Sequence, residues 1–103
     1  MTKVTIYREN DSITGYCLDG HTGFALEGSD IVCSALSMLS ITCANALERL
    51  AKAEIDCEQR EGFLMVRLRP NQISEKTDLI FRLFELGARD IQAEYPANVK
   101  IIN

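Results

Sequence analysis

Residues 20–47 read GHTGFALEGSDIVCSALSMLSITCANAL. The stretch has two halves. Residues 20–28 hold Gly20, Gly23 and Gly28, and between them His21, the only histidine of the chain, with Phe24 and Leu26. Residues 31–47 carry no charged side chain. The first half reads as a loop, since glycine admits backbone conformations closed to other residues and anchors nothing by a side chain. The second reads as a long helix over residues 30–53, capped by Ser29 or Asp30, whose side-chain oxygen accepts an amide hydrogen of the first turn. Its apolar residues, Ile31, Val32, Leu36, Leu39, Leu47 and Leu50 among them, cover more than one stripe. A helix apolar most of the way round is buried on two sides. One side is expected against a sheet and the other against a second copy of the chain.

On either side of this segment the periodicity falls to two. Upstream, residues 3–8 alternate, with Val4 and Ile6 on one face and Thr5 and Tyr7 on the other. Glu9-Asn10-Asp11 is turn chemistry. Residues 12–19 form a second strand, with Tyr16 and Leu18 on one face and Ile13 and Cys17 on the other, and the short connection implies an antiparallel hairpin. Downstream, residues 54–59 form a third strand and Arg60-Glu61-Gly62 a turn. Residues 63–69 form a fourth strand, with Leu64, Val66 and Leu68 on one face, and Pro70 ends it. Ser74 or a neighbour opens a second helix, from Glu75 to Gly87 or Ala88, with Leu79, Ile80, Leu83, Phe84 and Leu86 as its apolar side and Gly87 as its stop. Residues 89–95 fit no single pattern, and residues 97–102 read as a last strand beyond Pro96. The fold class expected is α+β, one domain over residues 1–103. It is a two-layer arrangement in which a mostly antiparallel five-stranded sheet carries two helices, in the order β-β-α-β-β-α-β.

The 103 residues are 47% hydrophobic and 25% charged, ordinary for a globular domain. The net charge of −4 and the absence of a basic run argue against direct nucleic-acid binding, which needs clustered Lys and Arg. The N-terminus, MTKVTIYREN, lacks the apolar core of a signal peptide. The uncharged helix includes Ser34, Ser37, Ser40, Thr42 and Asn45, whereas a membrane span needs roughly 20 mostly apolar residues. A cytoplasmic protein with no membrane contact is expected. Cys17, Cys33, Cys43 and Cys57 form no CxxC pair, and a single histidine cannot complete a zinc site with thiols so scattered. No metal or cofactor is expected. Cys17, Cys43 and Cys57 read as small buried hydrophobes.

Cys33 differs by its place. A cysteine attacks as its thiolate, and the first turn of a helix, with unpaired amides and the positive end of the dipole, favours negative charge. His21, twelve residues upstream on the glycine-bounded loop, is the only side chain of its type that can take the thiol proton. Asp30 can cap the helix or orient the imidazole. Ser37 lies one turn past Cys33 on the same face, and amides at the helix start can serve as an oxyanion hole. Phe24 and Leu26 suit a lid over an apolar peptide, and the glycines would let that lid close on substrate. From spacing alone the plainer alternatives stay open: a packed Cys33, a solvated His21, Asp30 as a cap only, Ser37 as a small helix residue, and Phe24 and Leu26 folded onto the core.

The pattern Gly20-His21, a short glycine-containing loop, Asp30-Ile31-Val32-Cys33-Ser34-Ala35 and Ser37 resembles the signature of the ribosomal-processing cysteine protease family, Prp. Thr22 stands where a small residue such as Ala is usual. The resemblance implies a cysteine endopeptidase that removes a short N-terminal extension from a large-subunit ribosomal protein, number twenty-seven, during ribosome assembly. It implies a catalytic dyad of His21 and Cys33, supporting roles for Asp30 and Ser37, a substrate loop containing Gly20, Gly23, Phe24, Leu26 and Gly28, and a homodimer. The alternatives from other classes are a non-catalytic protein-binding module and a thiol redox sensor.

Overall fold

The computed structural model describes residues 1–20 and 29–103, with residues 29 and 30 by their backbone. The elements run β1 (Thr2–Glu9), β2 (Ser12–Asp19), α1 (Ser29–Arg49), β3 (Ile55–Arg60), β4 (Phe63–Leu68), α2 (Glu75–Glu94) and β5 (Val99–Ile102). The order is β-β-α-β-β-α-β, as the periodicities imply. The five strands form one sheet in the order β3-β4-β2-β1-β5. All neighbours are antiparallel except β1 and β5, which run parallel. Both helices pack on one face, where Val4, Ile6, Tyr16, Leu18, Leu64 and Val66 of the sheet meet Val32, Leu36, Cys43 and Leu47 of α1 and Phe81, Phe84 and Ala88 of α2. By length and composition α1 could cross a membrane, yet here it supplies a large share of the core.

The two layers are tied by Tyr16. Its ring stacks on Phe84 at 3.8 Å and meets Phe81 edge-on at 5.9 Å. Its hydroxyl donates to the carbonyl oxygen of Ser40 in α1 at 2.6 Å. Burial raises the Tyr16 hydroxyl far above its ordinary titration range, so it stays a donor.

Three sequence expectations are corrected. Ile13 shares the core face with Tyr16 and Leu18, because Tyr7 pairs with Gly15 and Arg8 with Ile13, leaving Thr14 as a bulge. One extra residue reverses the alternation beyond it. The first helix stops at Arg49, short of residue 53, because Lys52 turns with φ +55° and the Ala53 amide folds back to the Leu47 carbonyl at 2.9 Å. The second helix runs through Gly87 to Glu94. Its buried residues are Thr77, Phe81, Phe84 and Ala88, while Leu79, Leu83 and Leu86 are 58–69% exposed. Gly87 is a helix crossing, not a stop: a Cβ there would lie 2.9 Å from both methyl carbons of Leu39 in α1. The start at Ser74 is as expected. Its hydroxyl accepts the Thr77 amide at 3.1 Å, and the Thr77 hydroxyl accepts the Ser74 amide at 2.9 Å.

Candidate active site

Cys33 is half-buried and opens onto a cavity of about 440 Å³. One wall is α1, with Cys33, Leu36, Ser37, Ser40 and Ile41. The opposite wall is the β3–β4 hairpin, from Gln59 through Leu64, and the end of the cavity is closed by Thr2, Leu18 and Gly20. Leu18, Leu36 and Leu64 belong to the core or its edge, so the floor is apolar; Ser37, Gln59, Arg60 and Glu61 give a polar rim. The i, i+4 spacing brings Cys33 and Ser37 to one cavity, as expected. The Ser37 carbonyl accepts the buried Ser40 hydroxyl at 3.1 Å, which stiffens this turn of α1.

Cys33 lies just past the unpaired amides at the start of α1, not among them. With α1 beginning at Ser29, Cys33 is its fifth residue. The amides that helix geometry leaves unpaired are the first four, and they precede it. An oxyanion hole at the helix start would therefore use amides upstream of Cys33 and not its own. His21, Gly23, Phe24, Leu26 and Gly28 lie outside the described residues, as does the side chain of Asp30.

Gly20 is described, and it is pinned. Its φ of +141° is a conformation that favours glycine, and its amide donates to the Gly62 carbonyl at 3.0 Å. A Cβ at residue 20 would lie 2.4 Å from the Met1 carbonyl oxygen. The end of β2 is thus stitched to the β3–β4 turn and to the N-terminus, closing one end of the cavity.

The hairpin residues are what sequence reasoning missed. Arg60 stacks its guanidinium 3.8 Å over the Phe63 ring and bonds Glu58 at 2.6 Å. No local signal marks Gln59, Arg60 or Glu61 as cavity residues. They arrive through the pairing of β2 with β4, which joins positions from Asp19 and Phe63 to Gly15 and Arg67, far apart in the chain.

The four cysteines are all among the described residues, and no disulfide joins them. Cys17 and Cys43 are buried, as expected, but Cys57 is exposed, on the edge strand β3 of the sheet. Burial pushes the Cys43 thiol up to about 11. Burial also raises Cys17, and burial together with Glu48 raises Cys57. Near neutral pH these three stay protonated and are poor nucleophiles. Among the described residues no group of three His, Cys, Asp or Glu side chains could hold a metal ion. A wider groove of about 1020 Å³ at the far end of the sheet is lined by Tyr7, Arg8, Arg67 and Arg69 among others, and by no cysteine.

The architecture recurs in solved structures. A Streptococcus mutans protein, SMU.848, is 32% identical, with 99% of this chain and 96% of that one covered and a TM-score of 0.90. The S. aureus ribosomal processing protease Prp in complex with a substrate peptide matches at 23% identity and TM-score 0.89, covering 98% and 97% of the two chains. The same S. aureus protease with a covalently linked product peptide matches at 24% and 0.86, covering 99% and 98%. At these identities the S. aureus structures show likeness of fold. No curated protein matches significantly. The family model for cysteine protease Prp matches residues 1–100, nearly the whole chain and both walls of the Cys33 cavity, so the chain belongs to the Prp family of cysteine proteases.

Proposed function

We propose that this chain is a cysteine endopeptidase that removes a short N-terminal extension from a large-subunit ribosomal protein, number twenty-seven, during ribosome assembly in the cytoplasm. The placement of Cys33 on the wall of an apolar-floored cavity, in a chain of this family, carries that assignment. His21 takes the proton of the Cys33 thiol, and the thiolate adds to the scissile carbonyl carbon. The tetrahedral adduct collapses, the C–N bond breaks, and the imidazolium gives its proton to the departing amine. A thioester on Cys33 remains. Water then adds to it, His21 takes a proton from that water, and the sulfur leaves with the acid product freed. Asp30 orients the imidazole or caps α1, and Ser37 works on the cavity wall beside Cys33. This chemistry calls for no metal or cofactor. A net charge of −4 suits a basic protein partner and not direct contact with RNA.

The working unit is a homodimer. Between residues 31 and 45 the exposed side chains of α1 are Ile31, Ser34, Ser37, Met38, Ile41, Thr42 and Asn45, none of them charged. Two copies can meet there, burying Met38 and Ile41, without burying an ion.

The direct test is to incubate the protein with the precursor and sequence any new N-terminus. A single new N-terminus downstream of the extension is expected. A precursor that is bound but left intact would overturn the assignment in favour of a non-catalytic binding module.

A further inference from the structure

The outer edge of β3 runs into the Cys33 cavity, and its hydrogen-bonding groups are set out by the sheet. Gly62 bonds Gly20 on the β2 side of β4, so the even-numbered residues of β4 pair towards β2 and the odd-numbered ones towards β3. The β3 partners of Phe63, Met65 and Arg67 are Arg60, Glu58 and Asp56. The bond from the Arg69 amide to the Glu54 carbonyl at 3.0 Å continues the same ladder. Ile55, Cys57 and Gln59 therefore aim their amide hydrogens and carbonyls away from the sheet. Among the described residues no strand pairs with that edge.

Edge strands are usually guarded by a bulge, a proline or charged side chains. β3 reads IDCEQR and pairs with β4 without a register shift, so it has neither bulge nor proline, and its charges fall on one face only. Its charged side chains, Asp56, Glu58 and Arg60, lie on the sheet face away from the helices, opposite Arg67, Met65 and Phe63. Cys57 and Gln59 stand across from Val66 and Leu64, on the helix side, and Gln59 lines the same cavity as Cys33. The open backbone edge and the nucleophile's cavity are thus continuous.

We infer that the edge of β3 takes the substrate as an added strand, pairing an extended peptide segment beside the scissile bond with the backbone of Cys57 and Gln59. Strand addition of this kind draws affinity from main-chain hydrogen bonds and needs an unpaired edge. Of the acidic side chains on β3, Asp56 is paired with Arg69 at 3.0 Å and Glu58 with Arg60 at 2.6 Å, so main-chain pairing and not charge carries the recognition along this edge. Strand addition also explains how a cavity of about 440 Å³ serves an endopeptidase: the cavity holds a side chain or two, while the edge holds the chain in line. The inference rests on the proteolytic role of Cys33.

Cys57→Pro tests it. Proline is tolerated on an edge strand where the lost amide faces outward, so the domain should fold. The expected result is a fall of about tenfold in kcat/KM on a peptide spanning the cleavage site, mainly through KM, as for the loss of one or two backbone hydrogen bonds. Alkylation of Cys33 by iodoacetamide should keep its wild-type rate, showing that the cavity is intact. Cleavage at the wild-type kcat/KM would overturn the inference. Should the variant not fold, the same peptide N-methylated at each amide in turn replaces it: loss at alternate positions supports an added strand, and indifference at every position refutes it. If the wild-type protein cleaves nothing, the protease assignment fails by itself, and binding of the methylated peptides to Cys33→Ala decides the pairing by the same two outcomes.

Discussion

Gly20 admits no side chain. Its φ of +141° is costly for any other residue, and a Cβ would sit 2.4 Å from the Met1 carbonyl oxygen and 3.0 Å from the Thr2 Cα, both backbone atoms that cannot swing aside. Strained backbone of this kind costs about 1–3 kcal/mol, before the clash is counted. Gly20→Ala should therefore lose at least about 2 kcal/mol in a denaturant titration, and it should loosen the Gly20–Gly62 bond that closes one end of the Cys33 cavity. An unchanged midpoint would show that the N-terminus gives way more easily than the packing implies. Gly87 is a milder case: its close neighbours are the methyl ends of Leu39, which can rotate away.

At the scale of elements, a hydrogen bond in the core joins α1 and β2. The Tyr16 hydroxyl reaches the Ser40 carbonyl at 2.6 Å, one helix turn beyond Ser37. Tyr16→Phe keeps the stack on Phe84 and removes the second donor to a carbonyl that the helix already pairs with the Ala44 amide. A loss of about 1 kcal/mol is expected, read as a lower thermal midpoint. A variant as stable as the wild type would mean that the helical bond alone satisfies the carbonyl. Most elements were legible because each follows its own period: alternation in β1, β2 and β4, the Ser74 cap, the uncharged run of α1. The misses have a common physical origin in long-range contact. Nothing local announces the bulge at Thr14, which turns Ile13 into the core. The glycine at 87 looks like a stop until α1 is packed against it. The buried side of α2 is not legible locally, because the stripe of Thr77, Phe81, Phe84 and Ala88 includes a threonine, while three exposed leucines sit beside it. Of the site, Cys33 and Ser37 were legible from spacing along one helix, whereas Gln59, Arg60 and Glu61 enter only through the pairing of β2, β4 and β3.

At the scale of the whole molecule, the helices cover one face of the sheet, and α1 turns an uncharged outer side away from it between residues 31 and 45. Met38 is 68% exposed and Ile41 42%, while on α2 the exposed Leu79, Leu83 and Leu86 are interrupted by the exposed Arg82. The uncharged patch on α1 is expected to be covered by a second copy. Sedimentation at micromolar concentration should give twice the 11.5 kDa of the chain, and Met38→Glu should return it to the monomer. A wild-type monomer throughout that range would rule the dimer out. The proposed cleavage turns on Cys33 as the nucleophile. The measurement that bears on it most directly is the rate at which Cys33→Ala processes the ribosomal protein precursor, beside the wild type and with fold and assembly checked by circular dichroism and sedimentation. The expected result is complete loss of cleavage in a folded protein of unchanged assembly; a folded Cys33→Ala that still cleaves at the wild-type rate would contradict it.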